Sequence, residues 1–378
     1  MKRIGVLTFF RPINYGAVLQ AYALTRTLEK EMGCFAELID YRSARTEYYR
    51  KWFRPNEYLG LISKPSKLIK RVGSDILYSR IYSRSNRAFD RFIHDYMTVS
   101  SRVYYSEGEL QTSVQEYDSY IVGSDLVWNP EMTAESSRVF FLSFVQNPHK
   151  RCISYAASIG VKTLSSETLV QYRKWLSHLD CISVRELSAA VLLQPLTNKK
   201  VETVLDPTLL MIEEDWMHLL APVKSLPDRY VLSFMLEYSP VLIETVKSIA
   251  SERNLGIVSF DLNNYYGSYR NKRLFDAGPG EFLSLIKGAS CIVTNSFHGC
   301  AFSLIFHREF YCIPHTTRGT RMIELLSAFE LNEIVVTETH EYKRKTIDYS
   351  QVDKKMDVFR QHSLCYLKSA LEETDESL

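Results

Sequence analysis

The sequence predicts an α/β protein made of two doubly wound domains of similar architecture. Short apolar runs that end in small or polar residues alternate with segments whose apolar residues recur at helical spacing. This alternation is typical of a mostly parallel sheet covered by helices. The series occurs twice along the chain, and 378 residues are enough for two domains of ordinary size.

The first series begins at the N-terminus. Its first apolar run is followed by a turn containing Pro12 and Gly16, after which apolar residues recur every three or four positions. The later strands are short apolar runs, as expected for parallel strands buried on both faces. The predicted elements are, in order, strand 2–10, helix 17–32, strand 35–41, strand 117–122, strand 152–156, helix 167–178, strand 181–184 and helix 187–193.

The second series follows the segment VLDPT at 204–208. The sequence GPG at 278–280 marks a turn before a helix, and 351–372 has the amphipathic pattern of a long terminal helix. The predicted elements are strand 230–236, helix 240–253, strand 256–261, helix 281–288, strand 291–294, helix 300–307, strand 309–313, helix 321–328, strand 333–336 and helix 351–372.

We place the domain boundary within 206–227. The first domain is residues 1–206, the second is 207–350, and 351–378 is a C-terminal helix predicted to pack back on the first domain. Two Rossmann-like domains that face each other across a cleft form the GT-B arrangement. The first is expected to bind an acceptor and the second a donor.

Composition narrows the class of protein. Hydrophobic residues make up 46% and charged residues 24%, as in soluble globular proteins, and no apolar run is long enough to span a bilayer. A net charge of +2 argues against general nucleic-acid binding. The seven cysteines include no C-x-x-C pair, so we predict a reducing, cytoplasmic environment without disulfides and no metal site.

One segment departs from the alternating pattern. Residues 42–91 contain thirteen Lys or Arg against four acidic residues, an excess of nine positive charges, with aromatic residues interleaved. This is predicted to be a basic helical insertion in the first domain that contacts an anionic membrane face or a phosphate-bearing acceptor. The alternative is a solvated helical hairpin whose aromatic residues pack inward.

The most informative stretch is the turn after strand 291–294. Its sequence, NSFHG at 295–299, lies where the carboxyl ends of parallel strands form a ligand-binding crevice. The start of the following helix, predicted at Cys300, suits a phosphate or carboxylate. Gly299 would let the backbone approach that anion, and His298 could move a proton near neutral pH. The alternative is a buried histidine satisfied by backbone groups.

Further polar segments fall at other predicted strand ends: NYG at 14–16, GSDLVWN at 123–129, SYAASIG at 154–160 and SVRE at 183–186. Together with VLDPT and TNSFHG, these six motifs resemble, in their order, the polysaccharide pyruvyl transferase family. The resemblance runs from residue 14 to 326, apart from the insertion at 42–91. It implies a GT-B-like enzyme that transfers the enolpyruvyl group of phosphoenolpyruvate to two hydroxyls of one sugar on a glycan or lipid-linked saccharide. No other cofactor is implied, and the enzyme would work in the cytoplasm, including at the inner membrane face.

Such a reaction needs a proton donor, a cationic clamp and a base. The resemblance implies His298 as the acid, and Arg185 is the natural clamp because a guanidinium grips carboxylate or phosphate through two hydrogen bonds. Because successive side chains of a strand point to opposite faces, we do not expect Arg185 to form a surface ion pair with Glu186. Asp125 is either the base that activates an acceptor hydroxyl or a helix N-cap.

The remaining candidates are substrate-binding residues. Trp128 and Asn129 resemble a sugar platform, although core packing would also explain Trp128. Some relatives carry an arginine where this chain has Ser296, and Arg318 or Arg321 could supply the missing charge. Asp206 is predicted to be structural. The full set of substrate-binding candidates is Asn14, Tyr15, Gly16, Gln20, Trp128, Asn129, Asn295, Ser296, Gly299, Arg318 and Arg321.

Two other functions are compatible with these patterns. A glycosyltransferase that uses a nucleotide sugar has the same architecture and would need an acidic residue for the ribose, for which Asp261 and Asp276 are candidates. A non-catalytic glycan-binding protein derived from an enzyme is the other alternative. The presence of His298, Arg185 and Asp125 together argues against it.

Overall fold

The computed structural model describes residues 1–44, 47, 65–113, 116–260, 265–267, 271–338 and 342–372. In these residues the chain forms two five-stranded parallel sheets. Both sheets have the same strand order, 3-2-1-4-5 counted from the first strand of each, which is the doubly wound order of Rossmann-like domains. The predicted fold class is therefore confirmed.

The central strands of the first sheet are buried at nearly every residue because helices cover both faces of the sheet. Two further strands, β6 and β7, pair with each other and extend the sheet through single bridges beyond β5. The strands are β1 Arg3–Leu7, β2 Phe35–Tyr41, β3 Val99–Tyr104, β4 Ser119–Val122, β5 Arg151–Ser154, β6 Ile182–Val184 and β7 Val201–Thr203.

The second sheet has the order β10-β9-β8-β11-β12. Its central strands are fully buried apolar runs. The strands are β8 Tyr230–Phe234, β9 Gly256–Ser259, β10 Asn271–Arg273, β11 Cys291–Thr294 and β12 Phe310–Cys312.

The helices connect successive strands and cover the sheets. They are α1 Tyr15–Met32, α2 Pro65–Tyr96, α3 Glu107–Ser113, α4 Pro130–Thr133, α5 Ser166–Leu176, α6 Leu187–Leu193, α7 Glu213–Trp216, α8 Pro240–Arg253, α9 Pro279–Gly288, α10 Phe297–Ile305, α11 Thr320–Ala328 and α12 Tyr349–Leu371. No helix in the described ranges combines the length and apolarity that crossing a bilayer requires.

Sequence patterns missed the short or polar elements. Strands β3, β7 and β10 and helix α3 were not predicted, because each strand is only three to six residues long and partly exposed. The strand predicted at 333–336 is instead a 3₁₀ turn at Asn332–Ile334, followed by a single bridge from Val335 to Cys312.

Helix α12 links the two domains. Near its start, the hydroxyl of Tyr349 lies 3.3 Å from the carbonyl oxygen of Ser303 in the second domain. Near its end, the hydroxyl of Tyr366 donates to the carbonyl oxygen of Ser154 in the first domain at 2.8 Å. The terminal helix thus runs from one domain back to the other.

Residues 45, 46 and 48–64 of the basic insertion lie outside the described residues. Its residues 65–91 belong to α2. The C-terminal half of that helix packs inward, with Phe89, Phe92 and Ile93 buried. Arg84 lies 3.6 Å from Asp276 of the second domain, so this part of the insertion supports the contact between the domains.

Candidate active site

The turn between β11 and α10 is held by its own side chains. Oδ1 of Asn295 accepts a hydrogen bond from the N–H of Leu236, and its Nδ2 donates to the carbonyl of Glu237, both at 2.7 Å. Ser296 is the N-cap, and its Oγ accepts from the N–H of Gly299 at 3.3 Å. Asn295 and Ser296, predicted to bind substrate, are therefore used to shape the turn.

The helix after this turn starts earlier than predicted, which changes the interpretation of Gly299. Helix α10 begins at Phe297 rather than Cys300, so His298 lies within its first turn. A Cβ atom on Gly299 would lie 2.4 Å from Oγ1 of Thr294. Glycine is needed here because the helix packs closely on β11. Close approach of an anion to this backbone stays a prediction.

His298 lies where the first turns of two helices meet, one helix from each domain. A Cβ atom on Gly16, the second residue of α1, would be only 1.9 Å from Nδ1 of His298. The first N–H groups of a helix lack partners within the helix and carry partial positive charge. The starts of α1 and α10 therefore place two positive helix ends around one imidazole.

Asn14 and Tyr15 position the start of α1. Asn14 is the exposed N-cap of that helix. The Tyr15 hydroxyl donates to the carbonyl of Ala277 at 2.8 Å, and its ring stacks on Phe282 with centroids 4.5 Å apart. Both partners belong to the second domain. Tyr15 therefore stabilises the contact between the two domains. The sequence analysis predicted only a substrate-binding role for this residue.

Asp206 lies at the centre of a group of ionisable side chains that we call the charged cluster. Its members are Asp125, Arg185, Glu186, Asp206, His298 and Arg321. Oδ2 of Asp206 accepts from Nη1 of Arg185 at 2.7 Å and from Oγ of Ser124 at 3.2 Å, and it lies 3.6 Å from Nε2 of His298. Its Oδ1 accepts from the N–H and hydroxyl of Thr208, at 3.0 and 2.8 Å. One buried carboxylate thus orients the guanidinium and lies beside the imidazole.

The charges around Asp206 determine its ionisation. Burial alone would raise the pKa of this carboxyl group, but the neighbouring charges of His298 and Arg185 outweigh burial and hold the pKa well below its usual range. Asp206 is therefore ionised at neutral pH. Its negative charge stabilises the guanidinium of Arg185.

Arg185 follows β6 directly and is buried. Burial lowers the pKa of its guanidinium, but the carboxylates of Asp206, Glu186 and Asp125 raise that pKa by more than burial lowers it. The side chain therefore stays charged. Its Nε lies 3.8 Å from Oε2 of Glu186, which corrects the expectation that strand alternation separates these residues. The guanidinium carbon lies 4.3 Å from the ring centroid of Phe297, a cation–π contact that joins the domains.

Asp125 lies beside Arg185 and is not a helix cap. Its Oδ1 is 3.9 Å from Nη2 of Arg185. The cap of the following helix, α4, is Asn129, whose Oδ1 accepts from the N–H groups of Glu131 and Met132. The helix-cap interpretation of Asp125 is therefore wrong. The other interpretation, a base that activates an acceptor hydroxyl, stays a prediction for this carboxylate.

Trp128 and Asn129 do not form a sugar platform. Trp128 is fully buried, its ring stacks on Phe141 at 4.7 Å, and its Nε1 donates to the carbonyl of Phe140 at 2.8 Å. Asn129 is also fully buried, and its Nδ2 donates to the carbonyl of Ile159 at 2.7 Å. The substrate-binding predictions for this pair are corrected, because the chain after β4 turns into the core.

Gln20 is also fully buried, and its side-chain amide bonds to neighbouring loops. Its Nε2 donates to Oγ1 of Thr8 at 2.9 Å and to the carbonyl of Phe9 at 3.1 Å. Its Oε1 accepts from the N–H of Ser124 at 3.0 Å. The amide is fully used in tying α1 to the loops after β1 and β4, so the substrate-binding prediction for Gln20 is also corrected.

Arg321 brings a second guanidinium to the cluster, beside that of Arg185. Burial, followed by the nearby charge of Arg185, lowers the pKa of its guanidinium to about 10. Its Nε is buried without a hydrogen-bond partner among the described residues. Arg318 lies nearer the first domain, with Nη2 3.9 Å from the sulfur of Met132. Of the two arginines proposed to compensate for Ser296, Arg321 is the one whose guanidinium lies among the charges of Arg185, Glu186 and Asp125.

Sequence analysis missed two site residues. Asp206 was assigned a structural role, and Glu186 was considered only as an ion-pair partner. Oε1 of Glu186 accepts three hydrogen bonds, from Ser158 Oγ and from the N–H groups of Ile159 and Gly160, at 2.8, 2.9 and 3.1 Å. Its Oε2 is buried without a hydrogen-bond partner in the described part of the chain. Glu186 could have been found as an acidic residue two positions after the predicted strand 181–184, whereas the strand before Asp206, β7, was not predicted.

The fold and the site together define a GT-B-like protein with a charged cluster between its two domains. The family model for polysaccharide pyruvyl transferase matches residues 14–317, and the chain belongs to that family, which is one of transferases. This confirms the resemblance that the six motifs indicated. No curated protein matches the chain in sequence.

Solved structures agree on the fold. UDP-GlcNAc 2-epimerase from Methanocaldococcus jannaschii, in complex with UDP-GlcNAc and UDP, matches with a TM-score of 0.50 at 12% identity, covering 95% of this chain and 93% of that one. S. aureus MnaA, solved with UDP, also matches with a TM-score of 0.50 at 12% identity, covering 98% and 91%. At this identity the likeness extends to the two-domain architecture alone.

Proposed function

We propose that this protein transfers the pyruvyl group of phosphoenolpyruvate to two hydroxyls of a sugar, forming a cyclic ketal. The observation that carries the proposal is the shared position of His298 and Arg185 around Asp206, where α1 and α10 begin. A proton donor, a cationic clamp and two positive helix ends at one point suit a small anion that must be protonated.

Donor recognition would use groups that are unpartnered in the protein. Nε and Nη2 of Arg185 and Nε of Arg321 are buried without hydrogen-bond partners in the ranges described. A carboxylate and a phosphate would accept from these groups and from the first N–H groups of both helices. Such an anion would also balance the charge of Arg321, whose lowered pKa reports an unfavourable environment for a cation.

In the proposed reaction, His298 delivers a proton to the methylene carbon of phosphoenolpyruvate, and the cationic centre formed at C2 is attacked by one sugar hydroxyl. The C2–O bond to phosphate then breaks, and the second hydroxyl attacks C2. Of the two hydroxyl protons, one replaces the proton given by His298 and the other leaves with inorganic phosphate. We propose that Asp125 or Glu186, whose carboxylates lie 3.9 and 3.8 Å from the Arg185 guanidinium, accepts a proton from the acceptor.

The test of this function is phosphate release from phosphoenolpyruvate in the presence of a panel of glycosides, with the ketal product checked by mass spectrometry. UDP-GlcNAc in place of phosphoenolpyruvate tests the glycosyltransferase alternative. For that alternative, Asp261 lies outside the described residues, and Asp276 lies 3.6 Å from Arg84. Sugar transfer from UDP-GlcNAc without ketal formation would contradict the proposal. Donor binding without turnover on any glycoside would favour the non-catalytic alternative.

Arg185→Lys is expected to weaken phosphoenolpyruvate binding about tenfold although the charge is kept. An ammonium cannot bond Asp206 and the donor through a planar fork at the same time. Calorimetric titration of the full chain measures the change. Arg253→Lys is the matched control, because Arg253 makes a two-point bond to Glu309 in the second domain. Equal effects of both substitutions would remove Arg185 from donor binding.

Gly16→Ala is expected to lower turnover roughly tenfold or more, because the new methyl group would occupy the position of the His298 imidazole. Alanine is a better helix former than glycine, so α1 itself is not weakened. Gly108→Ala in α3 is the control, since a Cβ atom there meets nothing within 4 Å. Phosphate release and thermal melting are measured together. A normal rate in Gly16→Ala would show that the position of His298 does not matter.

A further inference from the structure

A cavity of about 750 Å³ adjoins the charged cluster, between α6, α11 and α12. Arg185, Asp206 and Phe297 contribute to its wall, so the cavity adjoins the candidate active site. Most of the remaining wall is apolar and includes Leu325 and Phe359. The volume is in the range of pockets that hold a small molecule.

Three exposed apolar side chains line the mouth of this cavity. Leu187, Ile323 and Val358 line it and are 61%, 41% and 66% exposed. Single exposed apolar side chains are common, but three around one opening form a patch of the kind that marks a binding site. They come from three helices, α6, α11 and α12, of which α6 belongs to the first domain and α11 to the second.

The polar part of the wall indicates the chemistry of the occupant. Two arginines, Arg185 and Arg321, line the cavity together with three acidic residues, Asp206, Glu186 and Glu324. Oε2 of Glu186 has no hydrogen-bond partner in the described residues, so it is free to accept a hydrogen bond from a ligand. A sugar hydroxyl can donate that bond, whereas the carboxylate of phosphoenolpyruvate only accepts.

We propose that this cavity binds an apolar chain carried by the acceptor sugar, with the sugar hydroxyls at the charged cluster and the chain leaving between Leu187, Ile323 and Val358. Phosphoenolpyruvate is small and strongly charged, so apolar walls of this extent do not serve it. This inference rests on the proposed function, because it names the acceptor of that reaction as a glycoside with a hydrocarbon substituent.

The test compares octyl glucoside with methyl glucoside, titrated into the full-length protein without phosphoenolpyruvate and below the micelle concentration. The octyl compound is expected to bind at least about tenfold more tightly, because its chain is removed from water. Val358→Asp is expected to remove most of that advantage. The matched control is Val170→Asp on α5, where Val170 is 70% exposed and lies away from the cavity.

Three results would overturn the inference. The two glucosides could bind equally, both aspartate variants could weaken octyl glucoside to the same degree, or Val358→Asp could change only the oligomeric state, which would identify a self-association surface. Failure of the proposed reaction is recognised separately. In that case the octyl preference and its loss in Val358→Asp remain, while phosphoenolpyruvate releases no phosphate with any glycoside.

Discussion

His298→Ala is expected to lower turnover by about 10²–10⁴-fold while phosphoenolpyruvate still binds. This range is typical of the loss of a general acid. Binding should persist because the donor's charges would be held by Arg185, Arg321 and the two helix ends rather than by the imidazole. Phosphate release under saturating donor measures turnover, and calorimetric titration measures binding.

Two controls separate chemistry from structure. His298→Gln keeps a hydrogen-bonding side chain but cannot deliver a proton, so its rate should stay as low as that of the alanine variant. His307→Ala removes an exposed histidine, 2.9 Å from Asp353, and should keep the wild-type rate. If His298→Ala melts at a lower temperature but keeps its rate per folded molecule, the histidine is structural and has no part in the mechanism.

Local sequence patterns were sufficient for the fold and for part of the site. Apolar periodicity located the central strands and most helices, because burial on both faces leaves a continuous apolar run. The same patterns placed His298 and Arg185 at strand ends, where parallel sheets bind ligands. Both residues do lie in the charged cluster between the domains.

The direction in which a loop turns was not predictable. Trp128 and Asn129 follow a strand end just as Asp125 does, yet they enter the core, while Asp125 remains beside Arg185. Asp125 has a left-handed backbone with φ of 66°, so the chain reverses there. An isolated sequence gives no signal for that reversal, since aspartate adopts both conformations.

The role of Asp206 could not be predicted because its partners are distant in the chain. Arg185 reaches it from the end of β6, and His298 reaches it from the other domain. An aspartate directly before a proline, in a segment between two domains, predicts a turn rather than a site residue. Only the folded chain brings the guanidinium and the imidazole to the same oxygen.

Asp206→Asn is expected to lower the free energy of unfolding by about 3 kcal/mol at pH 7 and to reduce turnover as well. The amide has nearly the same shape but leaves the buried guanidinium of Arg185 without its closest counter-charge. It also removes the charge that would stabilise a protonated His298. Urea unfolding and phosphate release measure the two effects.

The dependence on pH distinguishes this charge from a simple packing effect. Because the pKa of Asp206 is lowered in the folded protein, its stabilisation is complete above the unfolded value of about 4 and is lost progressively as the pH falls below it. The difference in free energy of unfolding between wild type and Asp206→Asn should therefore shrink below pH 4.

Asp357→Asn is the control, because that carboxylate also bonds an arginine, Arg360, at 2.7 Å but its side chain is 71% exposed. An exposed pair contributes little, so the control should change stability far less. If the two variants lose equal stability, or if the loss in Asp206→Asn is the same at pH 3 and pH 7, then the buried charge of Asp206 does not organise the site.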